Sequence, residues 1–390
     1  MITVDAALEQ LFGLVAPGAV EHVPLTVASG RVLARPVLAE RDQPPFAASA
    51  MDGYAVRGDD VRPGATFRVI GEAAAGHRFE GALSAQEAVR IFTGAPLPSG
   101  ADRVIIQEDV TREGDRITLG ADLDRKPHVR PAGADFSAGS TMAAPRRLTP
   151  SDVALLAAMN CAKVPVFARP SVAILATGDE LVTPGETPGP DQIIASNSFG
   201  LKSLLDELGA ASRLLPIARD SKSSLAMAFD LASDANLIVT IGGASVGDHD
   251  LVGPVAQSLG LDRSFYKIAM RPGKPLMAGR MGRSAMIGLP GNPVSAMVCG
   301  HVFLAPVVRA MQGLPAQPAP RQSARLAADL GGNGPREHYM RAHVTGGEIT
   351  AADRQDSALL SVLAGANALL IRPVDDPARR AGETVDYISL

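Results

Sequence analysis

The chain has 390 residues, more than one compact core usually organises, so we expect two to four domains. Hydrophobic residues make up 46% and charged residues 20% of the sequence, a composition typical of globular and not of disordered proteins. The net charge of -4 shows no basic excess, which argues against a nucleic-acid partner. No apolar run approaches the roughly 20 residues that cross a bilayer. The first residues also lack an early basic residue, so neither a membrane span nor a secretory signal is expected.

Two cysteines, Cys161 and Cys299, are too few for a disulfide framework and lack the spacing of a zinc site. They fit reduced thiols that act as small core side chains. We therefore expect a cytoplasmic protein.

Two helices are predicted in the first 168 residues. Apolar residues at helical spacing predict an amphipathic helix over residues 3–16. A second helix is predicted at Ser151–Asn160, directly after the cap residue Thr149. If the second helix packs on the first, residues 1–40 and 140–168 form one elongated helical segment.

Residues 41–139, between these two parts, differ in character. Short β-type runs alternate there with glycine- and proline-containing turns, which predicts a small β-rich insertion. The runs are Phe67–Ile70, Val89–Phe92, Arg103–Gln107 and Arg116–Leu119.

From residue 169 to residue 312, strand-like and helix-like segments alternate. This pattern predicts a multidomain α/β protein in which a parallel or mixed sheet is flanked by helices. The predicted strands are Ser171–Ala176, Leu214–Ala218, Asn236–Ile241, Phe265–Met270, Leu276–Gly279 and Ala285–Gly288. The predicted helices are Ser198–Leu208, Leu225–Ala232, Leu251–Leu259 and Val294–Met311. A linker rich in proline and alanine then leads to a last segment, residues 320–390, with short strands.

Four unusual loops follow predicted strands in the α/β unit. Ligands bind at the carboxyl ends of strands in such sheets, so chemistry is expected in these loops. Glycine lets the backbone approach a ligand and direct N–H groups at an anion, and the N-terminus of a following helix favours negative charge. The four loops are Thr177–Glu180, Gly242–Asp250, Arg271–Pro275 and Leu289–Pro293.

Charged side chains in and beside these loops complete the predicted site. Lys267, Arg271 and Lys274 add positive charge. Magnesium typically takes one or two carboxylates together with phosphate oxygens. The candidate metal ligands are Glu180, Asp248 and Asp250. The loops therefore predict a phosphate-and-metal site for a nucleotide-like ligand, while the lack of a Walker loop or a GxGxxG turn disfavours triphosphate hydrolysis and hydride transfer.

Six segments carry a family pattern that composition does not reveal. They are Ser49–Val56, Phe92–Pro98, Ala176–Leu181, Gly242–Asp250, Pro272–Pro275 and Gly288–Ser295. The most diagnostic is the first, which reads SAMDGYAV. In this order, across almost the whole chain, they resemble the molybdopterin molybdenumtransferase family, the MoeA-type insertases whose eukaryotic relative is the C-terminal part of gephyrin.

The resemblance implies an elongated homodimer of four-part subunits. The parts are a helical segment, the β insertion, a molybdopterin-binding α/β domain over residues 169–312 and a C-terminal β-barrel over residues 320–390. It implies transfer of molybdate into adenylyl-molybdopterin with release of AMP, aided by Mg2+. The site would lie between the α/β domain of one subunit and residues of the other. A molybdopterin adenylyltransferase and molybdoenzymes are the partners it suggests.

The resemblance also carries functional roles onto matching positions. The candidate catalytic residues are Asp52, Thr93, Asp135, Glu180, Asp220 and Asp250. The candidate substrate-binding residues, from the loops and the resemblance together, are Thr177, Gly242, Gly243, Ser245, Gly247, Lys267, Arg271, Lys274, Pro290, Pro293, Arg341 and Ser357. Thr177 and Ser245 would donate hydrogen bonds, although each could instead cap a following helix.

The chain departs from the family pattern at Ala134, at Arg271 and around Ser357, where the usual Gln-Gly-Ser-His reads Gln355-Asp356-Ser357-Ala358. Ala134 stands where a glutamate is common, and Arg271 replaces a common lysine, which changes a point charge to a planar fork. Asp356 stands where the family has glycine and adds a negative charge where an anion is expected. The departures at Ala134 and Asp356 favour an alternative, a non-catalytic carrier of molybdopterin. A further alternative is a molybdopterin adenylyltransferase, although such enzymes are typically single domains.

Overall fold

The computed structural model describes residues 1–243 and 251–390. The chain begins with helix α1, Val4–Leu14, whose first turn is capped by the Thr3 hydroxyl, which accepts from Ala6 N. The buried face of α1 packs into the core of the α/β domain, which follows much later in the sequence. The next strands are β1 (Val20–Pro24), β2 (Val32–Leu33) and β3 (Val37–Leu38).

A separate β-rich unit comes next. Its strands are β4 (Ala48–Ser49), β5 (Gly53–Val56), β6 (Thr66–Ala73), β7 (Glu87–Ile91), β8 (Arg103–Ile106), β9 (Val110–Glu113), β10 (Arg116–Leu119) and β11 (Val129–Arg130). Six of them form a sheet in the order β8-β5-β7-β6-β10-β9, and β11 pairs with β4. The sheet covers a small core on each face. Consecutive residues of β5 point to opposite faces, so Tyr54 joins the core that contains Phe67, and Ala55 joins the core that contains Val89 and Ile91.

After this unit the chain rejoins its first sheet. The elements are β12 (Thr141–Met142), β13 (Arg146–Arg147), α2 (Pro150–Ala158) and β14 (Lys163–Phe167). The sheet has the order β1-β14-β2-β13, and β12 pairs with β3, so residues on both sides of the β-rich unit pair with each other. Thr149 and Asp152 form a reciprocal capping box at the start of α2.

The two N-terminal helices lie in separate cores, which corrects one expectation. Helix α2 buries Leu156 against the sheet that contains β1 and β14, whereas α1 buries Leu8 in the α/β core. The expectation that the second helix packs on the first is therefore wrong. The segment is also less helical than expected, because strands of only two residues leave no periodic signal in the sequence.

The α/β domain follows. Its strands are β15 (Ser171–Ala176), β16 (Leu181–Val182), β17 (Ile193–Ile194), β18 (Ala211–Leu214), β19 (Leu237–Ile241), β20 (Leu261–Tyr266), β21 (Met270–Arg271), β22 (Met277–Met281) and β23 (Ser284–Leu289). Its helices are α3 (Asn197–Glu207), α4 (Lys222–Leu231), α5 (Val252–Ser258), α6 (Pro293–Cys299) and α7 (Ala305–Met311). The main sheet has the order β18-β15-β19-β23-β22-β20: the first four strands are parallel, β22 runs antiparallel to β23, and β20 runs antiparallel to β22. The predicted mixed sheet flanked by helices is confirmed.

Two predicted strands are displaced. The strand expected at Leu214–Ala218 is instead Ala211–Leu214. The prediction missed its start because this edge strand is only partly buried and contains polar residues, so its sequence lacks an apolar run. The strand expected at Phe265–Met270 divides into β20 and β21, because Lys267 between them has a left-handed φ of 71°.

Helices α6 and α7 are joined by a π-helical turn, Gly300–Leu304, into one helical stretch, Pro293–Met311. By length and composition this stretch is the one candidate membrane span among the described residues, which the sequence did not lead us to expect. However, 83% of its most apolar window is buried inside the protein. Its apolar residues belong to the core of the α/β domain.

The C-terminal region closes into a barrel. Its elements are β24 (Gln322–Leu326), β25 (Glu337–Thr345), β26 (Glu348–Ala351), α8 (Leu360–Ala364), β27 (Ala368–Arg372) and β28 (Thr384–Ser389). The strands run β25-β26-β24-β28-β27, and β27 pairs back with β25, so five strands leave no free edge. Strand β21 of the α/β domain adds to β25 in parallel, and this pairing joins the two regions. The expected C-terminal barrel is confirmed.

Candidate active site

A cavity of about 460 Å3 lies at the carboxyl ends of β15, β19 and β23. The strand-end loops converge there because parallel strands end at one edge of the sheet. Seven predicted site residues line it: Thr177, Glu180, Asp220, Gly242, Gly243, Pro290 and Pro293. The predictions on Ser245, Gly247, Asp248 and Asp250 lie outside the described residues.

The first loop places an exposed carboxylate against a buried turn. Thr177 is buried and its N–H donates to Ile241 O (3.0 Å), which ties this loop to the next strand end. Gly178 has a φ of 148°, and a Cβ at this position would collide with the Glu180 carboxylate, 2.7 Å from its Cδ. Gly178 therefore leaves the space in which that carboxylate lies at the cavity wall. Asp220 reaches the same wall, where its N–H donates to Asp179 Oδ1 (3.2 Å).

Two helices begin at the cavity. Helix α3 starts at Asn197 and α6 starts at Pro293, and both residues line the cavity wall. Helix N-termini favour negative charge, so the cavity suits an anionic ligand. Asn197 Nδ2 donates to Gly291 O (2.7 Å) and joins these two helix starts. Sequence reasoning missed Asn197, which carries no local signal apart from its place at the start of a helix.

The third predicted loop, residues 271–275, is not at the end of a parallel strand. It connects β21 to β22, which runs antiparallel to β23 with Met277 opposite Gly288. The start of β22 therefore lies at the same edge as the end of β23, and only Pro275 of this loop lines the cavity. Lys267, Arg271 and Lys274 do not line it, so the structure does not bring the predicted cations to this wall.

Arg341 and Ser357 lie in the barrel region, which reaches the same edge of the α/β domain. Ser357 O accepts from Val294 N (3.0 Å) in the first turn of α6.

Arg341 is fully buried, and its Nη2 donates to Asp356 O (2.9 Å). Its Nε and Nη1 have no hydrogen-bond partner among the described residues. Burial lowers the pKa of Arg341, the Asp356 carboxylate opposes this shift, and Arg271 adds to it. Buried donors without a partner suit an oxyanion.

His338, on the same strand as Arg341, was not predicted. It is 7% exposed and its Nε2 has no partner among the described residues. Burial, followed by the nearby charges of Arg271, Arg341, Arg372 and Arg336, lowers the pKa of His338 to about 4. The imidazole is therefore neutral at physiological pH.

This buried imidazole predicts a pH dependence of stability. Because its pKa is about 4 in the folded chain and 6.5 for an unperturbed histidine, the unfolded state binds a proton more readily between these values. The stabilisation is complete above pH 6.5 and is lost as the pH falls toward 4. After allowance for solvent screening we expect a loss of about 2 kcal/mol in the free energy of unfolding. Urea unfolding at several pH values should show this loss in the wild type and not in His338→Gln.

The exposed His343 provides the control, since it lies on the same strand and His343→Gln should keep the wild-type profile. Equal profiles for wild type and His338→Gln would contradict the prediction.

Asp52 and Thr93, which are 41 residues apart, meet in the β-rich unit. Asp52 Oδ1 accepts from Thr93 N (2.7 Å) and from the Thr93 hydroxyl (2.8 Å). The backbone bond, the hydroxyl bond and, more weakly, the charge of Arg90 lower the pKa of the Asp52 carboxyl. The predicted pair is therefore in contact, and its carboxylate is ionised at neutral pH.

Asp135 lines a separate cleft of about 580 Å3, formed with Gly94, Ala134 and Arg130. Gly94 follows Thr93, so the cleft adjoins the Asp52–Thr93 pair. Arg130 is the cation of this cleft, and sequence reasoning missed it. Of the residues that the structure describes, none lines both the cleft of the β-rich unit and the cavity of the α/β domain.

Together these features define a multidomain α/β protein with an anion-adapted cavity at its strand ends and a second carboxylate cleft in a β-rich unit. Family profiles match in order: "MoeA N-terminal region (domain I and II)" at residues 2–160, "Probable molybdopterin binding domain" at 173–310 and "MoeA C-terminal region (domain IV)" at 323–390.

Named relatives extend over the whole chain. A molybdopterin molybdenumtransferase of Nostoc sp. is 36% identical over 386 residues, 95% of this chain and 88% of that protein. The enzyme so named in Haemophilus influenzae is 33% identical over 99% of this chain and 98% of its own. A crystal structure of the molybdopterin biosynthesis MoeA protein from Pyrococcus horikoshii superimposes with a TM-score of 0.86 at 27% identity, covering 100% of both chains. The chain belongs to the molybdopterin molybdenumtransferase family, as its motifs indicated, and is a transferase.

Proposed function

We propose that this chain is a molybdenum insertase: it transfers molybdenum from molybdate into adenylyl-molybdopterin and releases AMP, in the biosynthesis of the molybdenum cofactor. Relatives that are aligned along nearly their full length and named for this transfer support the proposal. The observation that carries it is the cavity at the strand ends, where Thr177, Glu180 and Asp220 meet two helix starts.

The cavity suits the adenylyl-molybdopterin ligand on grounds of size and charge. A volume of about 460 Å3 lies in the usual range of small-molecule sites. The starts of α3 and α6 would favour the negative charge of its phosphates. Gly242 and Gly243 would allow close approach of the ligand to the backbone. The chain supplies binding and orientation, and no protein nucleophile is required.

The donor set at the cavity fits a magnesium ion. Glu180 and Asp220 present carboxylates to one cavity, and magnesium needs one or two carboxylates together with phosphate oxygens. No group of three or more potential metal ligands occurs among the described residues. Glu180 would hold the ion, with the predicted ligands Asp248 and Asp250 outside the described residues. The ion would offset charge on the pyrophosphate bridge of the ligand.

Molybdate would be held from the barrel side. The buried Arg341 offers donors that have no partner in the described part of the chain, and Arg271 lies near enough to lower the pKa of Arg341. Lys267 and Lys274 would add positive charge along the path of the anion. Asp356 does not turn its carboxylate freely into this region, since its Oδ1 accepts from Ala358 N (2.8 Å).

The assembly expected from the family completes the proposal. The chain would form a homodimer, in which the Asp52 and Asp135 cleft of one subunit faces the α/β cavity of its partner. Residues 41–139 would be a domain inserted between residues 1–40 and 140–168, followed by domains over 169–312 and 320–390. The protein would act in the cytoplasm, receiving its ligand from a molybdopterin adenylyltransferase and supplying molybdoenzymes.

Release of AMP tests the proposal directly. Purified protein is incubated with adenylyl-molybdopterin, with and without molybdate and Mg2+, and AMP and active cofactor are measured. We expect AMP release only when both ions are present, with active cofactor formed in step. Tight binding without AMP release, under conditions in which a relative such as the Haemophilus influenzae enzyme turns over, would contradict the proposal and favour a carrier.

A further inference from the structure

Arg90 occupies an unusually well-defined position in the β-rich unit. It lies on β7 opposite Tyr54 of β5. Its guanidinium carbon is 5.1 Å from the centre of the Tyr54 ring and 4.7 Å from the centre of the Phe92 ring. Nη1 donates to Gly53 O (3.2 Å) and Nη2 donates to Gln107 Oε1 (2.6 Å). Two rings and two acceptors therefore fix the guanidinium plane.

Both acceptors of Arg90 are next to Asp52. Gly53 follows Asp52 in sequence, and Gln107 N donates to Asp52 O (3.1 Å). Arg90 thus binds the residue that follows Asp52 and the side chain of the residue whose N–H binds the Asp52 carbonyl, while Thr93 holds the Asp52 carboxylate through two hydrogen bonds. The backbone and the side chain of Asp52 are fixed by separate contacts.

Arg90 forms no ion pair among the described residues, in contrast to Arg68 on the neighbouring strand, whose Nη2 is 2.7 Å from Glu87 Oε1. The charge of Arg90 is felt by Asp52 without a direct contact, since it contributes to the lowered pKa of that carboxyl. An arginine held by two rings and two neutral acceptors, beside a candidate catalytic carboxylate, is suited to orient that carboxylate without neutralising it.

We propose that Arg90 is a positioning residue, which holds Asp52 in one place for the transfer reaction by binding Gly53 and Gln107. This inference rests on the proposed function. A purely structural role, in which Arg90 supports the sheet, would have the same contacts and must be separated by experiment.

A double-mutant cycle makes this separation. Arg90→Met and Arg90→Lys are prepared in the wild type and in Asp52→Asn, and kcat and KM of molybdate-dependent AMP release are measured. In the wild type we expect Arg90→Met to lower kcat by about 30-fold with KM changed less than about 2-fold, since a misplaced group costs turnover. The kcat of Arg90→Lys should lie between those of the wild type and Arg90→Met, because lysine keeps the positive charge but lacks the planar pair of guanidinium donors. In Asp52→Asn, Arg90→Met should change kcat by less than about 2-fold.

The matched control is Arg68→Met, which removes an exposed arginine from the same sheet and should leave kcat unchanged in both backgrounds. An equal loss for Arg90→Met in both backgrounds would show support of the sheet and would overturn the proposal. Wild-type turnover in Arg90→Met, or in Asp52→Asn, would overturn it as well.

A second readout does not depend on turnover. A 13C NMR titration of the Asp52 carboxyl should show its pKa raised in Arg90→Met relative to the wild type and unchanged in Arg68→Met. If the wild type releases no AMP with molybdate, the proposed function fails, and the titration still tests the coupling of Arg90 to Asp52. An unchanged titration in Arg90→Met would overturn that coupling.

Discussion

Glu180→Gln should lower the rate of molybdate-dependent AMP release by about 100-fold or more, since Lewis-acid stabilisation is worth several kcal/mol. The carboxylate lies at the cavity wall in a space that Gly178 leaves open, where it would hold the magnesium ion. Glutamine keeps the size of the side chain and removes its charge. Binding of adenylyl-molybdopterin, measured without Mg2+, should persist, because the loss of a negative charge does not weaken the binding of an anion. Turnover and equilibrium binding are measured on the same preparation.

The control for Glu180 is a neighbouring glutamate, Glu186, which is exposed and does not line the cavity. Its Oε2 accepts from Thr183 N (3.1 Å), a contact that glutamine can preserve. Glu186→Gln should turn over at the wild-type rate. Wild-type turnover in Glu180→Gln, or a loss of turnover that follows a loss of binding, would contradict the assignment of Glu180.

Gly53→Ala should destabilise the β-rich unit by about 3 kcal/mol, at the upper end for overpacking, because backbone atoms cannot yield as side chains do. A Cβ at Gly53 would collide with the Ile105 carbonyl oxygen and lie 2.8 Å from the carbonyl carbon. Strands β5 and β8 pair at this point, with Gly53 opposite Ile106, so they would have to separate. The effect is measured as a shift of the urea unfolding midpoint, followed by circular dichroism.

Gly334→Ala is the matched control, since a Cβ there meets nothing within 4 Å. Its midpoint should stay close to that of the wild type. The steric argument would be refuted by a Gly53→Ala protein that unfolds at the wild-type urea concentration. Because Asp52 precedes Gly53, we also expect reduced turnover in Gly53→Ala at urea concentrations where the protein is still folded.

The sequence predicts the α/β cavity well because its chemistry is local. Thr177, Gly242 and Pro290 follow buried strands directly, and parallel strands bring such loops to one edge. The family motifs also indicate the barrel and the Asp52–Thr93 pair, although these two residues are far apart in sequence. That pair required the resemblance, since no local pattern links a carboxylate to a threonine 41 positions later.

Other parts of the site have no local signal. Asn197 acquires its role from contact with the loop before α6, and Arg130 from its place beside Asp135. His338 is an ordinary strand residue until burial and four arginines surround it. The loop at residues 271–275 was assigned to the end of a parallel strand because periodicity does not reveal strand direction. In the structure β22 is antiparallel and starts at the cavity edge, so the end of the loop, Pro275, lines the cavity, whereas Arg271 pairs with strand β25 of the barrel.

The sequence by itself determined the fold class, the family and the strand-end loops, because hydrophobic periodicity and glycine-rich turns are written in consecutive residues. The tertiary structure alone decided which core each N-terminal helix joins, where the edge strand begins and which cations reach the cavity. It also decided that Arg341 and His338 are buried with atoms that lack hydrogen-bond partners within residues 1–243 and 251–390. These features depend on strand direction, on register and on packing between segments that are distant in sequence. Such contacts determine the surroundings of a side chain, but the residues next to it in the sequence do not reveal them.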